Sequence, residues 1–203
     1  MIISDKNKYV FISVMKSGTH SMYDYLVKNY DGSHFTRGNQ LGNGGKYHTN
    51  EISKQYSDYF KFTLVRNPYS RAISIFNVCQ NIEPYATDYR RRIGLRFTFL
   101  DFCKWISGPG CKAQTGRAGY VVRPQSEWLA PCGNFDKILH VENIEDELKD
   151  LPFIDHVKPF PNLLERTDKS KWKEFYNEET ANLIFRWAEN DFNLYGYEKE
   201  SWK

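Results

Sequence analysis

The amino-acid sequence predicts an α/β fold, a three-layer arrangement in which helices cover a central, mostly parallel sheet. Two observations carry the prediction. Short β-branched and aromatic runs at Lys8 to Val14, Phe60 to Val65 and Lys137 to Val141 each read as a buried strand. Each is followed within a few residues by a helical segment, and strands that alternate with helices assemble as a parallel sheet because the helix supplies the crossover. A third observation bounds the size: 203 residues with 40% hydrophobic and 16% aromatic content fill one core, so a single domain over 1–203 is expected.

The elements follow in order. After Lys8 to Val14, Gly18 breaks the strand, and Met22, Tyr25, Leu26 and Tyr30 recur at helical spacing from Thr19 onward. The glycine-rich stretch Asp31 to Gly45 reads as a loop, Lys46 to His48 as a short strand, and Asn50 as the cap of a helix reaching about Tyr59. Pro68 suits the first turn of the helix that Ser70 to Cys79 continues. Helices are expected through the arginine-rich and aromatic middle, and then an irregular, substrate-side region from Gly108 to Pro131. A short helix from Ile144 to Leu148 follows the last strand, and one amphipathic helix, Glu178 to Phe192, ends the pattern.

Composition excludes several function classes. The 28 basic against 25 acidic residues leave a formal charge of +3, too near balance for a nucleic-acid binder, so any anion site must be local. No apolar run reaches the length of a bilayer span and no signal-peptide pattern opens the sequence, which predicts a cytoplasmic chain of bacterial or viral type. The four cysteines, Cys79, Cys103, Cys111 and Cys132, form no CxxC pair and read as reduced core or loop thiols. A Cys103 to Cys111 bridge is the alternative in an oxidising compartment.

The chemistry is concentrated in two segments. In Val14-Met15-Lys16-Ser17-Gly18-Thr19-His20-Ser21 a strand runs through a lysine, a glycine and small polar residues into a helix. Helix N-terminal N–H groups converge there, the helix dipole adds partial positive charge, Gly18 permits close approach, and Lys16 supplies a full charge at the rim. A nucleotide-kinase loop places its lysine after the second glycine, whereas this lysine precedes the only glycine, which argues against ATP. In the second segment, Phe62 to Ser74, Arg66 ends a strand and can fork two N–H donors onto a phosphate, with Ser74 adding a hydroxyl from the following helix. The bland alternatives are a capped turn at the first segment and surface polarity at the second.

Lys16-Ser-Gly-Thr-His-Ser21 resembles the 5′-phosphosulfate loop, K-[SA]-G-T-T-S, of the sulfotransferases that use 3′-phosphoadenosine 5′-phosphosulfate (PAPS). Phe62-Thr-Leu-Val-Arg-Asn-Pro-Tyr-Ser-Arg-Ala-Ile-Ser74 resembles that family's 3′-phosphate motif, and weaker matches at Lys46 to Thr49, Gln125, Glu142-Asn143 and Tyr176 to Tyr197 point to its carbohydrate-type branch. The resemblance implies a P-loop-NTPase-like nucleotide site, PAPS as donor with PAP as product, no metal, and a glycan or small-molecule hydroxyl as acceptor. Lys16, Ser17, Gly18, Thr19, His20, Ser21, Arg66 and Ser74 would hold the donor, with Lys16 stabilising the leaving oxygen. His20 departs from the motif by removing one hydroxyl donor. That departure, with the absence of a His-x-Asn element near Asn162 to Glu165, motivates the alternative of a PAPS- or PAP-binding protein without turnover.

Five histidines compete for the role of base: His20, His34, His48, His140 and His156. His48 is preferred because it ends a predicted strand and falls where carbohydrate-type relatives carry a histidine base; an unperturbed imidazole titrates near pH ~6.5. His20 is the runner-up, and capping of the next helix is the structural alternative for His48. Arg123 and Gln125 are weaker candidates for substrate contact, and Glu142 pairs with an arginine or caps a helix. Arg90, Arg91, Arg92 and Arg96 read as a solvated helix face, with attraction of an acidic glycan as the alternative.

Overall fold

The computed structural model describes residues 1–34, 50–112, 116–161 and 171–203. Contacts divide the chain into two compact units, both discontinuous in sequence: Met1–Arg66 with Glu127–Leu164, and Asn67–Ser126 with Glu165–Lys203.

The first unit holds a five-stranded sheet in the order β3-β1-β2-β4-β5, with β1 Ile2–Ser4, β2 Tyr9–Ile12, β3 Ser33–His34, β4 Phe60–Val65 and β5 Lys137–His140. β2, β4 and β5 are parallel neighbours, paired Phe11 to Phe62 and Val65 to His140. β1 runs antiparallel to both β2 and β3, so it alone opposes the common direction. The fold is therefore α/β with a mostly parallel sheet, as the alternation of elements predicts. β1 and β3 escape prediction because three and two residues are too few to show a period.

One sheet face carries Tyr9, Phe11, Phe62, Leu64 and Leu139, all buried against Met22, Tyr25 and Leu26 of helix α1 (Thr19–Asn29). Ile144 of α8 (Ile144–Glu147) and Leu148 of the 3-10 turn Leu148–Asp150 complete this core. Each aliphatic side chain buried this way contributes roughly 1.5–3 kcal/mol. Glu147 covers the outer edge of β5: its carboxylate accepts from the His140 backbone N–H at 2.6 Å and lies 3.1 Å from the same residue's Nδ1. An edge strand otherwise offers that donor to other chains.

The second unit is helical, with α2 Pro68–Asn81, α3 Tyr85–Ile93, α4 Phe99–Ile106, α5 Pro109–Lys112, α6 Gly116–Val122, α9 Glu178–Trp187 and α10 Glu189–Tyr195, while α7 Gln125–Leu129 crosses the boundary between units. Asn67 caps α2 by accepting from the Tyr69 N–H at 2.9 Å, and Pro68 occupies the first turn, where its missing N–H is not needed. Tyr69 packs edge-on against Tyr176 and Phe192.

Three expectations are corrected. The segment after Asn50 forms only a 3-10 turn, Lys54–Tyr56: no residue from 51 to 59 is buried, so nothing supports a helix, and the Asn50 side chain donates instead to the Trp128 carbonyl at 2.9 Å. The region 108–131 is less irregular than its glycines suggest, because Pro109 opens α5 and Gln125 opens α7. The final helix is two helices that break at Ala188, where φ is −123° and the Ala188 N–H is shared between the Ile184 and Phe185 carbonyls. The predicted strand Lys46 to His48 lies outside the described residues.

All four cysteines are buried and unbridged. Burial pushes the Cys132 thiol up to about 11 and that of Cys103 higher still. Among the described residues no helix is long and apolar enough to cross a membrane.

Candidate functional site

The loop between β2 and α1 takes the shape that its residues demand. Lys16 and Gly18 both have left-handed backbones, with φ of 69° and 71°. Glycine adopts that conformation freely, whereas lysine there costs roughly 1–2 kcal/mol, a strain of the kind stored at ligand sites. The Thr19 hydroxyl donates to the Val14 carbonyl at 2.6 Å and the Met22 N–H to the Gly18 carbonyl at 3.0 Å, which closes the loop onto the first turn of α1. Gly18 is the helix N-cap and brings no side chain, so the dipole end of α1 carries no side-chain cap.

The floor of the loop is made by the sheet. A Cβ on Gly18 would meet Leu64 Cδ2 at 3.3 Å, near the C-terminal end of β4, and Val141 Cγ2 at 3.6 Å, just after β5. Gly18→Ala is expected to lower thermal stability by several degrees and weaken anion binding, through the positive φ and this contact together. A differential-scanning melt with and without nucleotide checks it, and unchanged values in both would show that the loop tolerates a side chain.

Arg66 follows β4 directly and is half-buried, with Nη1 3.5 Å from the Lys16 carbonyl. Lys16, the N-terminus of α1 and Arg66 thus form one electropositive patch at the carboxyl end of parallel strands, where open α/β sheets bind ligands. Ser17, Thr19 and Ser21 are buried, Lys16 is half-buried and His20 is exposed on the first turn of α1. The Thr19 hydroxyl proton points at Val14, so that hydroxyl is turned away from an anion at this loop.

Two residues that sequence reasoning did not connect with the loop brace it from behind. The Trp128 indole donates to the Ser13 carbonyl at 3.0 Å, and Asn50 ties to Trp128 while its own carbonyl accepts from Cys132 at 3.2 Å. These contacts span 115 and 78 residues, so no local pattern announces them.

His48 lies outside the described residues. His140 is engaged by Glu147, and His156 is exposed with its carbonyl accepting from Tyr30 at 2.8 Å. His34 is in β3, and Glu142 is exposed on a 3-10 turn, Val141–Asn143.

In the second unit, Ser74 is half-buried on α2. The other arginine of the same motif, Arg71, is 1% exposed: its Nη2 donates to the carbonyls of Arg123 at 2.9 Å and Val121 at 3.4 Å, and its guanidinium lies over the Trp187 ring. Arg71 thereby fixes the end of α6. Gln125 is fully buried, and its backbone N–H, with that of Ser126, donates to the Asp191 carboxylate at 2.8 and 2.7 Å. Arg123 is half-buried with its guanidinium over Tyr120. Asp191 is the residue that sequence reading missed. Among the described residues no cluster of three or more metal-ligating side chains occurs.

The profile of the sulfotransferase family matches residues 1–198, and the chain belongs to that family. It is an enzyme family, and this chain is a sulfotransferase. Among curated proteins it is similar to carbohydrate sulfotransferase 10 of Xenopus laevis and of Homo sapiens, each 24% identical over 98% of this chain and 67% of the relative. The Gallus gallus protein of the same name is 24% identical over 97% of this chain and 66% of its own length. No solved structure matches the chain.

Proposed function

We propose that the protein transfers a sulfuryl group from PAPS to a hydroxyl of a carbohydrate, releasing PAP. The observation that carries this reading is the loop itself: left-handed Lys16 and Gly18 at the uncapped N-terminus of α1, with Arg66 beside it, in a chain of the sulfotransferase family. The names of its relatives support a glycan acceptor. In this reading the molecule is a three-layer, P-loop-like nucleotide binder whose donor sits at the carboxyl ends of β2 and β4.

Each residue then has a task. The loop from Ser17 to Ser21 holds the 5′-phosphosulfate, with backbone N–H groups from Gly18 onward as donors, and Lys16 offsets the charge that grows on the oxygen between phosphorus and sulfur as the sulfur–oxygen bond breaks. Arg66 and Ser74 take the 3′-phosphate, which distinguishes this donor from ATP. His48 accepts the proton of the acceptor hydroxyl as its oxygen bonds to sulfur, and His20 is the second choice for that role. Arg123 contributes to substrate binding through the segment it anchors with Arg71, and Gln125 by shaping the same segment.

Transfer of labelled sulfate from PAPS to a panel of oligosaccharides tests the proposal. Labelled product is expected with at least one glycan; tight PAP binding with no transfer to any of them would instead favour a nucleotide-binding protein without turnover. His48→Ala is expected to lose at least tenfold in kcat with PAP affinity retained. Turnover near wild type would remove His48 from the mechanism and turn attention to His20→Ala.

A further inference from the structure

The positive charge of this molecule is unevenly placed. Arg90, Arg91, Arg92 and Arg96 lie within seven residues, and no acidic residue occurs from Tyr89 to Arg96. The four charges in this short segment exceed the chain's formal net charge of +3. All four side chains are exposed. Three occupy the last turn of α3, where they complement the helix dipole, but Arg96 lies beyond the helix and has no such role.

Between Arg92 and Arg96 stands Leu95, 84% exposed, the most exposed large apolar side chain among the described residues. A single exposed leucine is ordinary. This one is held out by a fixed turn. The Gly94 N–H donates to the Arg90 carbonyl at 3.0 Å, and Gly94 turns the chain with a φ of 135°. On the far side Phe97 is buried, its carbonyl accepting from Gln80 Nε2 at 2.8 Å, while the Gln80 carbonyl accepts from Arg90 Nη2 at 2.9 Å. Arg90 also pairs loosely with Glu83. Below the turn, Tyr89 is anchored edge-on against Trp105.

We propose that Arg91, Arg92, Leu95 and Arg96, on the turn that Arg90 braces, form a docking surface for anionic phospholipid bilayers. Arginine forks match headgroup phosphates and carboxylates, and a projecting leucine enters the acyl boundary between them. A soluble polyanionic glycan would use the same charges and would leave Leu95 in water, so the position of Leu95 favours the lipid. The surface is independent of the donor loop and of the proposed transfer reaction.

Co-sedimentation with vesicles of about two parts phosphatidylcholine to one of phosphatidylserine tests this. Binding is expected at about 0.05 M sodium chloride and lost at about 0.5 M, and vesicles of phosphatidylcholine alone should not bind. The triple variant Arg91→Ser, Arg92→Ser, Arg96→Ser should bind on the order of a hundredfold more weakly, from about fivefold per arginine. Leu95→Ser should weaken vesicle binding about tenfold while leaving retention on a heparin column unchanged, a split that a purely electrostatic site does not produce. Circular dichroism and a thermal melt confirm that these surface variants remain folded. Failure of the wild type to bind vesicles, or equal binding by Leu95→Ser, would overturn the proposal; heparin retention without vesicle binding would reassign the surface to a soluble polyanion.

Discussion

Lys16→Ala is expected to lower kcat for sulfate transfer by roughly 10²–10³-fold, the usual cost of removing one preorganised charge stabiliser, with PAP affinity changed far less. The loop explains the split. In the proposed function its anion donors are main-chain N–H groups, held by the backbone at Lys16 and Gly18 and by the Thr19 to Val14 hydrogen bond, none of which needs the ammonium. The ammonium matters when charge accumulates on the leaving oxygen, so its loss falls on the rate. Lys16→Gly sharpens the test: glycine relieves the cost of a φ of 69°, so this variant should melt no lower than wild type and still be nearly inactive. Wild-type kcat in Lys16→Ala would remove the lysine from the chemistry; equal losses in kcat and in PAP affinity would make it a ground-state binding residue.

Asp191→Ala is expected to destabilise the protein by about 3–5 kcal/mol, a large fraction of the 5–15 kcal/mol typical of a domain. The carboxylate is fully buried and accepts from two consecutive backbone N–H groups, those of Gln125 and Ser126, at the start of α7. Removing it strands both donors away from water, each at a cost of about 1–3 kcal/mol, and opens a small cavity. Asp191→Asn keeps one oxygen acceptor and should lose less than half as much. Urea denaturation followed by tryptophan fluorescence reads the difference, because Trp187 donates to the Val122 carbonyl at 3.0 Å in the same region. A midpoint shift worth less than about 1 kcal/mol would mean that water or another group replaces the carboxylate.

Much of this architecture can be read from local patterns. Phe60–Val65 shows its strand in six residues of aromatic and β-branched character, Asn67-Pro68 marks the start of α2, and the lysine-glycine order sets the loop apart from a kinase loop. What escapes reading depends on distant contacts. Ala188 hides a helix break because it is itself buried and continues the apolar stripe from Ile184 to Phe192 across the interruption. Asn50 has the identity of a cap, but Trp128 takes its side chain. Arg71 has no role legible in sequence, because the carbonyls its guanidinium donates to lie fifty and fifty-two residues away. Within the loop, the identities of Lys16 and Gly18 were legible, but the left-handed backbone at a lysine was not, since only the closed turn imposes it.

The placement of β5 has a consequence for synthesis. β4 is complete at Val65, but its parallel neighbour begins only at Lys137, and the indole that braces Ser13 comes from Trp128. A ribosome adding roughly 5–20 residues per second must emit about seventy further residues before that edge can close. Through those seconds Phe60–Val65 presents an unpaired, aromatic strand edge of the kind that seeds intermolecular pairing. The edge of β4 that β5 covers in the mature sheet is therefore without its partner strand for the middle third of translation.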